Sequence, residues 1–262
     1  MLGAIAGDIA GSTHEHHRAE TRDFPLFTRA SRFTDDTVLT VATAHAILTD
    51  GGYAAAYHAF GNRHPHAGYG GTFREWLRSR APKPYNSWGN GSAMRVSPVG
   101  WAFDTEQDVL REAERSAAVT HDHPFGIAGA QAVALGILLG RQRASREDIR
   151  RALSERFGYD LARTVEDIRP GYRFDVSCQG SVPEAIVAFL GASDVEGAIR
   201  DAIWLGGDAD TQAAIAGSLA EAWHGGVTSK LREEARVRLS ADLRDVTDRF
   251  AARYMSDPAG DT

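Results

Sequence analysis

The stretch 204-WLGGDADTQAAIAG-217 reads as two glycines leading into an alanine-rich helix whose start gathers Asp208, Asp210 and Thr211 into four positions. Asp and Thr are ordinary helix caps that satisfy the orphan amides of a first turn. One carboxylate is enough for that. Two carboxylates and a hydroxyl, behind Gly206 and Gly207 that let the backbone approach closely, also have the composition of a hard-cation site. Taken alone, the stretch reads as a capped helix, and a partner cluster is needed before it reads as more.

Helical grammar extends outward from it. Apolar residues three and four apart predict helices over 38–48, 106–119, 146–157 and 195–205, and a long polar-rich one over 229–255. GIAGAQAVALGILLG (126–140) is apolar all round and reads as a central, buried helix; LGAIAGDIAGS (2–12) shares its small-residue character. Strand signals are scarce, since YRFDVS (172–177) alternates but is short and has no clear partner. Between the helices lie glycine- or proline-rich loops at 64–72, 81–93 and 169–183. No repeat or linker-like shift divides the chain, so one all-α domain over 1–262 is expected.

A net charge of -6 argues against a broad nucleic-acid groove, which needs a basic face. Cys178 is the only cysteine, so no intrachain disulfide forms and a reducing, cytoplasmic home is expected. The apolar N-terminus lacks the basic residues that precede a signal-peptide core, and Asp8 interrupts it. The run AVALGILLG from Ala132 has about half the length that crosses a bilayer. No membrane partner is expected.

The partner cluster is FTDDTVLT (33–40), where Thr34, Asp35 and Asp36 sit immediately before a helix. Each cluster can be explained as a cap. Facing each other, the two offer four carboxylates and two hydroxyls, enough to balance two divalent cations in a hydrolytic site on oxygen ligands. Neither contains the Cys or His that softer metals favour. Elsewhere, His14, His16 and His17 are too closely spaced for one helical face and read as a solvated loop, Cys178 as a small packed residue, and the five tryptophans as core.

GDIAGSTHE (7–15), FTDDT (33–37), GNGSAMR (89–95), THDHP (120–124) and GGDADTQAA (206–214), in that order, resemble the motifs of the ADP-ribosylglycohydrolase family. The resemblance implies a compact orthogonal helical bundle with a binuclear magnesium or manganese centre in a central cleft. It implies metal ligation by Thr34, Asp35, Asp36, Asp208, Asp210 and Thr211, and an ADP-ribosyl substrate. The loops AGYGG, with Gly70 and Gly71, and GNGSAMR, with Asn90, Gly91, Ser92 and Met94, are similar to the family's phosphate- and ribose-contacting loops. His121 matches a ligand-contacting histidine, while Tyr172 and Phe174 are placed to stack on adenine. Arg95 is left between a phosphate and one of the acids.

The expected reaction is hydrolysis at C1″ of the distal ribose, releasing ADP-ribose from a modified protein, most familiarly from arginine, with Glu15 or Asp36 in the acid-base role. The alternatives are serine, phosphate or nucleobase linkages, nucleic-acid substrates included, and a non-catalytic ADP-ribose-binding module. A monomer is expected.

Overall fold

Fifteen helices and no strand form among the described residues of the computed structural model, which are 1–15 and 17–255. In chain order they are α1 (Leu2–Gly11), α2 (Asp35–Leu48), α3 (Tyr53–Arg63), α4 (Gly71–Arg78), α5 (Gly91–Met94), α6 (Ser97–Ala102), α7 (Glu106–Ala117) and α8 (Pro124–Arg141). There follow α9 (Arg146–Phe157), α10 (Val165–Ile168), α11 (Cys178–Gly191), α12 (Val195–Leu205), α13 (Ala209–His224), α14 (Ser229–Arg238) and α15 (Ala241–Tyr254). His16 lies outside the described residues. The all-α reading holds.

Local chemistry sets many of the starts. Thr105, Ser145, Asp194 and Thr228 each accept a hydrogen bond from an amide in the first turn of α7, α9, α12 and α14. Gly158 and Gly225 end α9 and α13 in the left-handed region, at φ 71° and 79°, where a side chain is strained.

Two expected bounds are corrected. The helix over 229–255 is two, because Leu239 turns extended and buries its side chain, and a new helix starts at Ala241. The loop over 169–183 gives way to α11 already at Cys178, capped by Ser177, with Pro183 inside the helix. Proline normally marks a first turn, which places the start too late when read from sequence. YRFDVS forms no strand; its end makes a single antiparallel bridge, Gly89 to Ser177. His14 is half-buried, its ring 4.8 Å from that of Phe24, while His17 is exposed.

One continuous core runs from Met1 to Phe250. At its centre α13 packs against α1, α8, α11 and α12. The α1–α13 contact is made backbone to backbone. A Cβ on Gly3 would lie 2.2 Å from the Gly217 carbonyl oxygen, one on Gly7 2.1 Å from that of Ala213, and one on Gly11 2.4 Å from Asp210 Cα. Every residue of α1 is buried, and the Met1 ammonium pairs with Glu221 of α13.

Gly7→Ala is therefore expected to destabilise by about 2–3 kcal/mol, because the obstructing atom is backbone and cannot rotate away. Gly191→Ala, at an exposed helical position where a Cβ meets nothing within 4 Å, is expected to stabilise by about 0.5–1 kcal/mol. Denaturant unfolding of the two variants checks the pair, and similar effects at both sites would contradict the close-packing account.

Candidate active site and metal centre

Asp8 sits in the middle of an apolar helix, fully buried. Its carboxylate accepts hydrogen bonds from the Thr34 amide at 2.9 Å, the Thr34 hydroxyl at 2.6 Å, the Thr37 amide at 3.1 Å and the Thr37 hydroxyl. Three of these donors meet Oδ2 and one, the Thr34 hydroxyl, meets Oδ1. The bonds clamp the start of α2 onto α1, and so fix Asp35 and Asp36 between Thr34 and Thr37.

The second cluster meets the first across this clamp. The Thr211 hydroxyl donates to Asp36 Oδ2 at 3.2 Å. Carboxylate oxygens of Asp8, Asp36 and Asp210 lie within 4.8 Å of one another. Asp208 occupies the N-cap position of α13 yet makes no side-chain capping bond; its Oδ2 accepts from Asn90 Nδ2 at 2.7 Å. Capping therefore does not account for Asp208, whereas Thr34 does cap α2 by accepting from the Asp36 amide at 3.3 Å.

The electrostatics are those of an anion cluster short of counter-charge. Burial, then Asp210, pushes Asp36 well above the ordinary carboxylate range; burial, then Asp208, does the same to Asp210. Burial, then Asp8, raises Asp35 to about 8, and burial raises Asp208 against the opposing pull of Asn90. Asp36 Oδ1 is buried without a hydrogen-bond partner among the described residues. An all-oxygen donor set with an orphaned carboxylate oxygen fits a hard divalent cation.

The acids line a cleft of about 430 Å³. Glu15, Thr34, Asp35, Asp36, Asp208, Asp210 and Thr211 all border it, and the Glu15 charge contributes to raising Asp35, Asp208 and Asp210. Gly68, at φ 109°, carries its loop over Asp35, where a Cβ would stand 3.2 Å from Oδ1. Gly70, Gly71, Asn90, Gly91, Met94 and His121 border the cleft as the motifs imply.

Two expected contact residues do not. Ser92 is fully buried and donates to the Gly126 carbonyl at 2.6 Å. Tyr172 donates to the Gly180 carbonyl at 2.7 Å and accepts from Gln212 at 3.1 Å. Its ring lies 2.6 Å from where a Cβ on Gly207 would be, so it packs behind the start of α13. Phe174, by contrast, is 53 % exposed and lines the cleft. Among the described residues Arg95 pairs with no acid; it is buried, with Nη2 bonded to the Ser116 carbonyl and the Thr120 hydroxyl.

Sequence reading passed over Asp8, although a carboxylate inside an apolar helix is itself a signal. It also took Trp88 as core, whereas Trp88 is 53 % exposed. Trp88, Phe125, Phe174 and Val176 are four of the five large hydrophobics left exposed among the described residues, and Phe174 and Val176 line the cleft. The loops that carry Trp88 and Val176 are tied together: the Asn90 amide donates to the Val176 carbonyl at 2.8 Å and the Cys178 amide to that of Trp88 at 2.9 Å.

The family model for ADP-ribosylglycohydrolase matches residues 1–259. The chain is 26% identical to ADP-ribosylhydrolase ARH3 of Xenopus tropicalis, over 86% of each chain, and 27% identical to that of Homo sapiens, over 86% of this chain and 84% of the relative. It is also 26% identical to the ADP-ribosyl-[dinitrogen reductase] glycohydrolase of Rhodospirillum rubrum, over 86% of this chain and 84% of the relative. A solved structure titled "ADP-ribosylglycohydrolase-related protein complex" has the same fold, with a TM-score of 0.70 at 24% identity, covering 98% of this chain and 97% of that one.

Raised carboxylates give the metal-free protein a defined pH dependence. Between about pH 4 and 8 these groups hold protons in the folded state that they lose in the unfolded one, so metal-free stability falls as pH rises through that window. A cation displaces those protons. The rise in melting temperature on adding Mg²⁺ or Mn²⁺ is therefore expected to be larger at pH 8 than at pH 5.5, and to shrink in Asp210→Asn. Asp194→Asn, which alters only the cap of α12, is expected to leave it intact. A rise that is independent of pH, or equal in both variants, would contradict ligation by the cluster.

Proposed function

The chain belongs to the ADP-ribosylglycohydrolase family, and from that premise we propose that it is a hydrolase that removes ADP-ribose from a modified acceptor by cleaving the bond at C1″ of the distal ribose, with two Mg²⁺ or Mn²⁺ ions at the acid cluster. The observation that carries the reading is the buried meeting of the α2 and α13 starts, with Asp36 Oδ1 left without a partner on the cleft wall. Thr34, Asp35, Asp36, Asp208, Asp210 and Thr211 are the ligands. The relative whose name specifies ADP-ribosylated dinitrogen reductase supports a protein acceptor.

Divalent cations bound there supply positive charge to the ribose hydroxyls and to the attacking water. The protein's own groups do the rest. Asn90 holds Asp208 in place, and Asp8 holds the α2 turn, so the acids need no rearrangement when substrate arrives. The diphosphate lies along the Gly70–Gly71 loop and the Gly91 end of the neighbouring turn, where the Gly89 and Asn90 amides are already bonded to the Ser87 hydroxyl and the Val176 carbonyl. Phe174 and Trp88 offer exposed faces for the adenine ring. Glu15 protonates the departing atom as the bond to C1″ breaks in an oxocarbenium-like transition state, and Asp36 is the reserve candidate for proton transfer.

The acceptor has two readings. Arginine is the first, since a guanidine leaving group needs the acid that Glu15 provides. An oxygen-linked acceptor is the second, and Arg32 favours it: this cation lines the same cleft as Glu15 and repels a guanidinium. Release of free ADP-ribose from arginine-, serine-, phosphate- and nucleic-acid-linked substrates, followed chromatographically with and without chelator, separates the two.

Glu15→Gln preserves the shape and removes the transferable proton. Turnover is expected to fall by about 10²–10⁴-fold while the Kd for ADP-ribose changes little. Matched losses in turnover and binding would make Glu15 a positioning group and move proton transfer to Asp36. Unchanged turnover would exclude it from the reaction.

A further inference from the structure

His121 lies on the loop before α8, 5 % exposed, and lines the cleft. Its ring packs under the turn that carries Asn90: a Cβ on Gly91 would stand 3.1 Å from Nε2, and one on Gly89 3.6 Å. Nδ1 lies 2.7 Å from the Thr120 hydroxyl oxygen. The same hydroxyl oxygen accepts from Arg95 Nη2 at 2.9 Å.

Arg95 is the unusual member of this chain. It is wholly buried, 4.2 Å from the Tyr57 ring centre, and its hydrogen bonds go to the Ser116 carbonyl and Thr120, not to a carboxylate. A guanidinium only donates and does not lose its proton, so toward Arg95 the Thr120 oxygen is an acceptor. Its one hydrogen remains for a neighbour. Tyr85 also pairs with this hydroxyl, so the Thr120 hydrogen has Tyr85 and His121 as its two acceptors. His121 Nδ1 can take the Thr120 hydrogen only as a bare lone pair.

The local field selects the same arrangement. A neutral imidazole is a dipole, negative at the bare nitrogen and positive at the N–H. Here the Arg95 cation sits on the Nδ1 side, while Nε2 faces the turn whose Asn90 holds Asp208. Burial and the Arg95 charge also keep the ring neutral, well below its ordinary titration range. We propose that Arg95 and Thr120 are positioning residues that lock His121 as the Nε2–H tautomer, so that it presents an uncharged donor to an anionic oxygen of a cleft ligand. That oxygen belongs to the diphosphate, which rests on the ADP-ribose reading above; the tautomer itself does not. With the other tautomer, a lone pair would face the anion and repel it.

Long-range ¹H–¹⁵N spectra of the full chain labelled at histidine, with His121 assigned from its absence in His121→Gln, test this at pH 7. The expected pattern is a pyridine-type Nδ1 and a pyrrole-type Nε2; the reverse pattern, or an imidazolium, overturns the proposal. Thr120→Val is expected to mix the tautomers and weaken ADP-ribose binding by roughly tenfold by calorimetry. Thr120→Ser restores both, which a purely structural role for the methyl would not do. An unchanged tautomer in Thr120→Val overturns the relay. Should wild type show the expected tautomer but no affinity for ADP-ribose, the failure lies with the functional reading, and the relay stands on the spectrum alone.

Discussion

Gly3, Gly7 and Gly11 let α1 lie on α13 with backbone against backbone, and the site is assembled by that contact. With Gly11 almost touching Asp210 Cα and Asp8 one turn earlier on the same helix, two acids from opposite ends of the chain reach one point. Asp8 then carries the geometry on to a third segment by accepting hydrogen bonds from Thr34 and Thr37. The alternative, a side chain at any of the three glycines, would widen the helix spacing by ångströms and dissolve the acid cluster.

What the helices bring together, electrostatics resists. Asp35, Asp36 and Asp210 lie in first turns, where amide dipoles favour a carboxylate. That effect is worth about 1 kcal/mol at such positions, small against the burial of several mutually repelling acids. The raised proton affinities are the measure of the imbalance. A protein selected only for stability would replace such residues, so their concentration on a cleft wall is a mark of work done there.

The parts legible in the sequence were those whose chemistry is local. Apolar spacing located α7, α9 and α12 almost to the residue, and the paired acids before α2 and α13 stood out because one carboxylate satisfies a cap. Asp8 was visible as an interruption but not as a clamp, because its four donors lie more than two dozen residues away. Ser92 sits inside a glycine-rich motif, and nothing local says that its hydroxyl turns into the core toward Gly126. Tyr172 and Phe174 are two residues apart in one loop, and only the packing of Tyr172 behind Gly207 decides which of them meets the cleft.

This division follows the shape of the cleft. At the acid end the side chains are buried, bonded from several segments and held before any ligand arrives, which suits chemistry that tolerates little misplacement. Toward Trp88, Phe174 and Val176 the rim is exposed and carried by loops joined through a few main-chain bonds. A flat, apolar ring needs area more than exact angles, so a softer rim suffices for it. His121 stands where the two regimes meet: its ring is buried as firmly as the acids, while the groups that set its proton, Arg95 and Thr120, never need to touch the ligand.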